Sequence, residues 1–344
     1  MKPTIPPGLS LYLDVMRLAA ALVVVFSHTW TLLFPAFPLP WPGHSAVVVF
    51  FVLSGYVISH AAKPELGLFG YFQHRIARIV PVAFGALILS VLIAPYVGLN
   101  KLQYSGPMVF SWTSIAINAV FLGQSWIDIA PMYNPPFWSL NYEVWYYILF
   151  GVWVYKRNFV ALLMAAAIAG PKILLLMPVW LIGVTLHRWM GALSKRTAVL
   201  LFLATVIAGL GFFWFDTGVL IRSAMEDRWP AAMELARGSN QFVGDFLLGI
   251  IVGLNFIAVG SLDLKPLIRF KAVIRFFSSY TFSIYVFHMP VTVLLWNGLG
   301  VRSPLLFFCL LVAAIVILGE LTERRTNWYR SALQRMFVRT AATV

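Results

Sequence analysis

The sequence predicts an all-α polytopic membrane protein with about ten transmembrane helices. Three observations predict it. Charged residues make up 11% of the 344, against about 25% in an ordinary soluble domain. Hydrophobic residues make up 61%, aromatics 16%, and the mean hydropathy is +0.86. Apolar runs long enough for a ~30 Å hydrocarbon layer recur from end to end, separated by short basic loops.

The net charge of +13 would suggest nucleic acid in a soluble chain. Here most Lys and Arg residues fall in short loops, where they act as topology signals and as contacts for anionic lipid headgroups, so membrane lipids are expected partners and nucleic acid is not. The single cysteine, Cys309, lies in an apolar run and excludes an intramolecular disulfide or a Cys-rich metal site. Residues 1–10 are Pro-rich and the following run is too long for a cleaved signal, so the first helix is expected to remain as a signal anchor.

Eleven candidate segments lie at 11–34, 44–61, 77–98, 107–123, 136–155, 158–170, 172–188, 197–215, 241–260, 276–297 and 304–322. Lys63, Arg75 and Arg78 mark one inner loop; Lys156 with Arg157, Lys195 with Arg196, and the run 265–275 mark others. The mixed-charge polar loop 216–240 fits outside, and the tail from Arg324 to Arg339 fits inside. These assignments agree if 107–123 is partial or re-entrant and 136–155 is a full span. Both termini are then cytoplasmic: residues 1–10 as a short leading segment, 323–344 as a basic tail, and one membrane domain covering 1–344. Segments 158–170 and 172–188 are short, so they form either two spans or one broken helix.

The first span carries Asp14, Arg17 and His28. At 100° per residue Arg17 and His28 differ by about 20° around the helix, and Asp14 lies within about 40° of His28, so the three share a stripe. Arg17 and His28 are about 16 Å apart along the axis, too far to touch. Either the stripe faces a bundle interior or wet cavity, or Asp14 and Arg17 are an interfacial pair three residues apart.

In the second span Ser54 and Gly55 permit close helix approach, which makes them packing residues or part of a site. Arg75 and Arg78 point the same way from the inner surface, suited either to gripping phosphates through bidentate hydrogen bonds or to lipid headgroups. The richest stretch begins at Asn134 and includes Trp138, Ser139, Glu143 and Tyr147. Ser139, Glu143 and Tyr147 recur every fourth residue and line one face after Pro135 and Pro136. A carboxylate there is a site candidate or an interfacial group within an aromatic belt. Thr281, Tyr285, His288 and Thr292 form a polar stripe on the tenth candidate whose spacing supports a bundle-facing side, with His288 either hydrogen-bonded within the stripe and doing no chemistry or catalytic. No His and carboxylate pair has metal-site spacing, so no metal is expected.

Arg17 with His28 eleven residues on, FFVLSGY, Arg75-x-x-Arg78, WSLNYE with Glu143, and SYTFSIYVFH ending at His288 together resemble the acyltransferase 3 family of bacterial membrane O-acyltransferases. Five motifs in family order span nearly the whole chain. The resemblance implies about ten membrane helices around a central acyl-transfer cavity in the bacterial inner membrane. It implies transfer of an acyl group, commonly acetyl from acetyl-CoA, to a hydroxyl of a sugar, polysaccharide, glycolipid or antibiotic, with acyl-CoA as donor substrate and no permanently bound cofactor. Carried over position by position, His28 is the catalytic histidine, Arg17 its motif partner, Arg75 and Arg78 the coenzyme A side, and Glu143 the acidic residue after Trp-Ser-Leu. Asp14, Ser54, Trp138, Ser139, Tyr285 and His288 are supporting or substrate-binding candidates. Val144-Trp145 departs from the polar pair of many members, so nothing beyond Glu143 is transferred.

The chemistry agrees: acyl transfer to an alcohol needs a base, which a neutral histidine supplies near pH 7, and anionic coenzyme A suits an arginine pair at the inner mouth. The alternative is a transporter of a lipid-linked or small glycan, since charged stripes also mark transport paths. Neither inverted-repeat symmetry nor matched broken helices are visible for it.

Overall fold

The computed structural model describes residues 5–97, 111–236 and 238–341. The stretch after the 77–98 segment, whose single basic residue Lys101 marks it as an outer loop by the same charge rule, the start of the 107–123 segment, and Arg237 lie outside these residues, as does the Arg339 side chain.

Among the described residues every regular element is helical. In chain order they are α1 (Pro7–Leu33), α2 (Gly43–Ala61), α3 (Gly67–Val97), α4 (Trp112–Ala119), α5 (Trp138–Gly151), α6 (Phe159–Ala169), α7 (Pro171–Thr185) and α8 (Lys195–Trp214). Then follow α9 (Thr217–Arg228), α10 (Pro230–Leu235), α11 (Phe242–Gly260), α12 (Lys265–Ile268), α13 (Lys271–Ser278), α14 (Thr281–Val293), α15 (Pro304–Leu321) and α16 (Thr326–Ala341). Among the described residues six stretches are long and apolar enough to cross a membrane: Pro7–Leu33, Gly43–Ala61, Pro64–Val97, Lys195–Trp214, Phe242–Gly260 and Pro304–Arg335. A seventh is the α6–α7 pair if its halves count as one span. That pair bends by 114°, where Gly170 takes φ 83° and Pro171 starts the next helix.

Large apolar side chains on these helices stay exposed, among them Leu200, Ile207 and Leu210 on α8 and Leu306, Val312 and Ile317 on α15. Such continuous apolar faces require lipid. The chain is a polytopic all-α membrane protein.

Two boundaries differ from the sequence expectation. The loop at 216–240 is mostly helical, because good helix formers and an Arg222–Glu226 pair one turn apart at 3.7 Å support α9, and Pro230 starts α10. The basic tail is also helical: α16 packs against α3. Within the described part of 107–123 the helix is α4, eight residues, roughly 12 Å long and too short to cross. Ser111 caps it by accepting from the Ser114 backbone N–H.

The chain forms two compact units. The first comprises Met1–Val24, Pro42–Lys63 and Met164–Ser278. Within it α2 lies against α7 at two reciprocal glycines: a Cβ on Gly55 would strike the Trp180 carbonyl oxygen, and one on Gly183 would strike that of Val52. Removing both side chains lets the backbones approach, and the Trp180 indole N–H then reaches Ser54 Oγ at 3.3 Å. A buried polar relay ties α1 to α11 and α8: the Tyr12 hydroxyl donates to Asn255 Oδ1 at 2.6 Å, and Asn255 Nδ2 donates to Thr205 Oγ1 at 3.0 Å.

The second unit comprises Val25–Trp41, Pro64–Leu163 and Ser279–Val344. Here α14 packs against α3 and α15, and Ile93, Val97, Met132, Tyr133, Met289 and Val293 form an apolar cluster. Pro290 cannot donate the backbone bond to the Val286 carbonyl one turn earlier. The Asn134 amide replaces it, donating to that oxygen at 3.0 Å. The other end of α14 is capped by Glu323, whose carboxylate accepts from the Ser283 N–H at 2.8 Å and the Phe282 N–H at 3.3 Å.

Candidate active site

The polar stripe of α14 is buried as its spacing requires: Thr281, Tyr285, His288 and Thr292 are all inside the second unit. His288 lies opposite His28 of α1. Its Nε2 is 3.2 Å from His28 Nδ1, and the ring centroids stand 5.2 Å apart. The other nitrogen, Nδ1, faces the Tyr285 and Ile284 carbonyl oxygens at 2.7 and 3.1 Å. Ser27 Oγ lies 3.4 Å from His28 Nδ1.

One turn earlier on α14, the Tyr285 hydroxyl lies 2.6 Å from Ser139 Oγ and donates to the Pro136 carbonyl at 2.9 Å. Ser139 begins the face of α5 that continues through Glu143 and Tyr147. The Tyr147 hydroxyl donates to Glu143 Oε1. Its ring stands 5.8 Å from the Arg75 guanidinium carbon, and the Tyr71 ring stands 6.0 Å from it on α3. Tyr71 is held there by donating to the Tyr147 carbonyl at 3.1 Å. The guanidinium therefore contacts two aromatic rings, while its Nε is buried without a hydrogen bond. Arg75 lies within electrostatic reach of Arg78 and Glu143, and Arg78 within reach of Glu323.

The second unit thus brings most of the nominated residues together in two contact sets, His28, His288, Tyr285 and Ser139 in one and Glu143, Tyr147 and Arg75 in the other, with Glu143 within electrostatic reach of Tyr285. Trp138, half-buried at the start of α5, packs edge-on against Tyr142 with centroids 5.2 Å apart.

Asp14, Arg17 and Ser54 belong to the first unit. Arg17 pairs with Asp14 at 3.6 Å. Asp14 is buried and shared with Arg275, whose Nε approaches to 3.2 Å. Ser54 Oγ accepts from the Trp180 indole N–H at 3.3 Å, beside Gly55.

Sequence reasoning missed Asn134, Glu323 and the His44–Asp245 pair at 2.9 Å, and it placed Tyr147 on a face without giving it a partner. Pro290 two residues after His288 was a usable signal for Asn134, since a buried helix proline leaves a carbonyl that needs another donor. Glu323 carried no such signal, because its partners lie 40 residues away in sequence.

The acyltransferase MdmB of Streptomyces mycarofaciens is 30% identical over 114 residues, which cover 32% of this chain and 28% of that protein. Nodulation protein 10 of Rhizobium leguminosarum bv. viciae is 25% identical over 325 residues, covering 81% of this chain and 82% of that protein. No solved structure matches. The acyltransferase 3 family model, described as an acyltransferase domain, matches residues 10–319. With nine-tenths of its length matched, the chain belongs to the acyltransferase 3 family.

Proposed function

We propose that this acyltransferase is a bacterial inner-membrane O-acyltransferase, taking an acyl group, acetyl from acetyl-CoA, and passing it to a hydroxyl of a sugar, cell-surface polysaccharide or glycolipid. The observation that carries the reading is the His28–His288 pair and the Glu143–Tyr147–Arg75 set held in one unit, with Tyr285 of the first within electrostatic reach of Glu143. An imidazole base and a cationic anion-binding pair are the two elements that acyl transfer from a coenzyme A thioester requires.

In this reading Arg75 and Arg78 hold the donor's phosphates, and Arg17 is a further arginine assigned to donor binding. Tyr71 and Tyr147 stack on Arg75 and keep its fork oriented. The acceptor oxygen attacks the thioester carbonyl while His28 takes its proton. The C–S bond then breaks, and the imidazolium returns the proton to the coenzyme A thiolate. Glu143, fixed by Tyr147, orients the site electrostatically.

We also propose that the whole chain is one membrane domain of ten spans with both termini cytoplasmic. The six long stretches are joined by α6 and α7 as separate spans and by α5 and α14. Helical backbone runs on from Pro135 to Lys156 and from Thr281 to Gly298, roughly 33 and 27 Å at 1.5 Å per residue.

The test supplies membranes containing the protein with labelled acetyl-CoA and a cell-envelope glycan extract. Label enters glycan with the wild type and not with His28→Ala. Equal labelling with both proteins overturns the assignment of His28. Glycan translocation without labelling overturns the reaction in favour of transport.

A further inference from the structure

We infer that His288 is a positioning residue that sets the tautomer of His28, placing the basic lone pair of His28 on Nε2. The inference rests on the reading of His28 as the base, and its geometry lies wholly within the second unit.

Carbonyl oxygens only accept hydrogen bonds. His288 Nδ1 lies against two of them, at 2.7 and 3.1 Å, so Nδ1 carries the hydrogen. A neutral imidazole has one N–H, which leaves Nε2 of His288 as an acceptor. The atom 3.2 Å from that acceptor is His28 Nδ1, which must then be the donor. By the same count, His28 Nε2 holds the lone pair. A doubly protonated His288 would instead bury a cation whose ring contacts are two carbonyls and another imidazole, an expensive arrangement.

The order carbonyl, His288, His28 has the logic of a base oriented by a third group. Helix geometry supplies the fixed end, since Ile284 and Tyr285 lie four and three residues before His288 on α14. The Asn134 amide satisfies the neighbouring Val286 carbonyl at 3.0 Å, so this turn of α14 is held from a second side. When His28 Nε2 takes the proton of the acceptor hydroxyl, Nδ1–H stays bonded to His288 Nε2. The imidazolium keeps an acceptor through the step, and the proton on Nε2 remains available to the departing thiolate.

The experiment is long-range 1H–15N correlation on the full chain with 15N-labelled histidine, in lipid nanodiscs. The sequence has six histidines, and His28→Gln and His288→Gln spectra assign the two rings. The expected result is Nδ1–H with an unprotonated Nε2 for both. Glutamine at 288 still offers a carbonyl acceptor to His28 Nδ1, so His288→Gln preserves the His28 tautomer and restores much of the kcat lost in His288→Leu. His288→Leu lowers kcat by roughly 100-fold or more, with the KM for acyl-CoA unchanged, and returns His28 to Nε2–H. An Nε2–H tautomer at His28 in an active wild-type enzyme overturns the inference while leaving the acyltransferase reading intact. The expected tautomer in a protein that transfers no acyl group overturns that reading while leaving the tautomer assignment intact. If His288→Leu does not fold, the wild-type and His288→Gln spectra decide alone.

Discussion

Tyr147 donates its hydroxyl to the Glu143 carboxylate one turn before it on α5, and its ring stands 5.8 Å from the Arg75 guanidinium carbon. One side chain thus occupies the carboxylate and braces the cation. Tyr147→Phe keeps the brace and removes the hydroxyl from Glu143, whose carboxylate then competes with an anionic donor for Arg75. The expected outcome is a KM for acyl-CoA raised by on the order of tenfold, the scale of one charge-assisted hydrogen bond. Steady-state kinetics on purified protein check it, and an unchanged KM refutes the competition.

Arg75 contacts two aromatic rings and Arg78 has no such stack among the described contacts. Lysine keeps charge but loses the planar fork and much of the stacking. Arg75→Lys should therefore raise the KM for acyl-CoA more than Arg78→Lys does, by several-fold, with kcat at saturation little changed. Equal effects of the two would remove any special role for the tyrosines.

Gly183→Val and Gly55→Val force a side chain into the facing backbone of α2 or α7, where the obstructing atoms are carbonyl oxygens that cannot rotate away. Overpacking of this kind costs about 1–3 kcal/mol or more. Both variants should lower the thermal unfolding temperature in detergent. Gly209→Ala on α8 meets nothing within 4 Å and is the control expected to leave it unchanged.

His44 meets Asp245 at 2.9 Å and joins the start of α2 to the start of α11 within the first unit. Asp245 is buried and His44 only partly so. His44→Phe leaves a buried carboxylate without this partner, and an apparent unfolding temperature several degrees lower is expected, read by scanning fluorimetry. The double variant with Asp245→Leu should recover part of the loss, because replacing both partners removes the stranded charge.

Glu323→Ala deletes the carboxylate that accepts two backbone N–H groups at the start of α14. Loss of a cap costs about 0.5–2 kcal/mol. Hydrogen exchange should show faster opening at Phe282 and Ser283, and exchange unchanged there would mean the cap carries no stability.

What the sequence determined by itself was angular. Hydropathy marked out the apolar segments, and a period of 3.6 placed Ser139, Glu143 and Tyr147 on one face of α5 and Tyr285, His288 and Thr292 on one face of α14. Only the tertiary structure decided which faces meet. His28 and His288 are 260 positions apart, and Ser139 and Tyr285 are 146 apart. Periodicity fixes a direction around a helix axis and says nothing of which helix stands across from it. Tertiary packing also supplied partners that spacing could not name: Ser54 meets the Trp180 indole, and Asp14 meets two arginines, one of them distant in sequence. Such pairings come from helix docking, where a buried polar group must find a partner wherever packing supplies one.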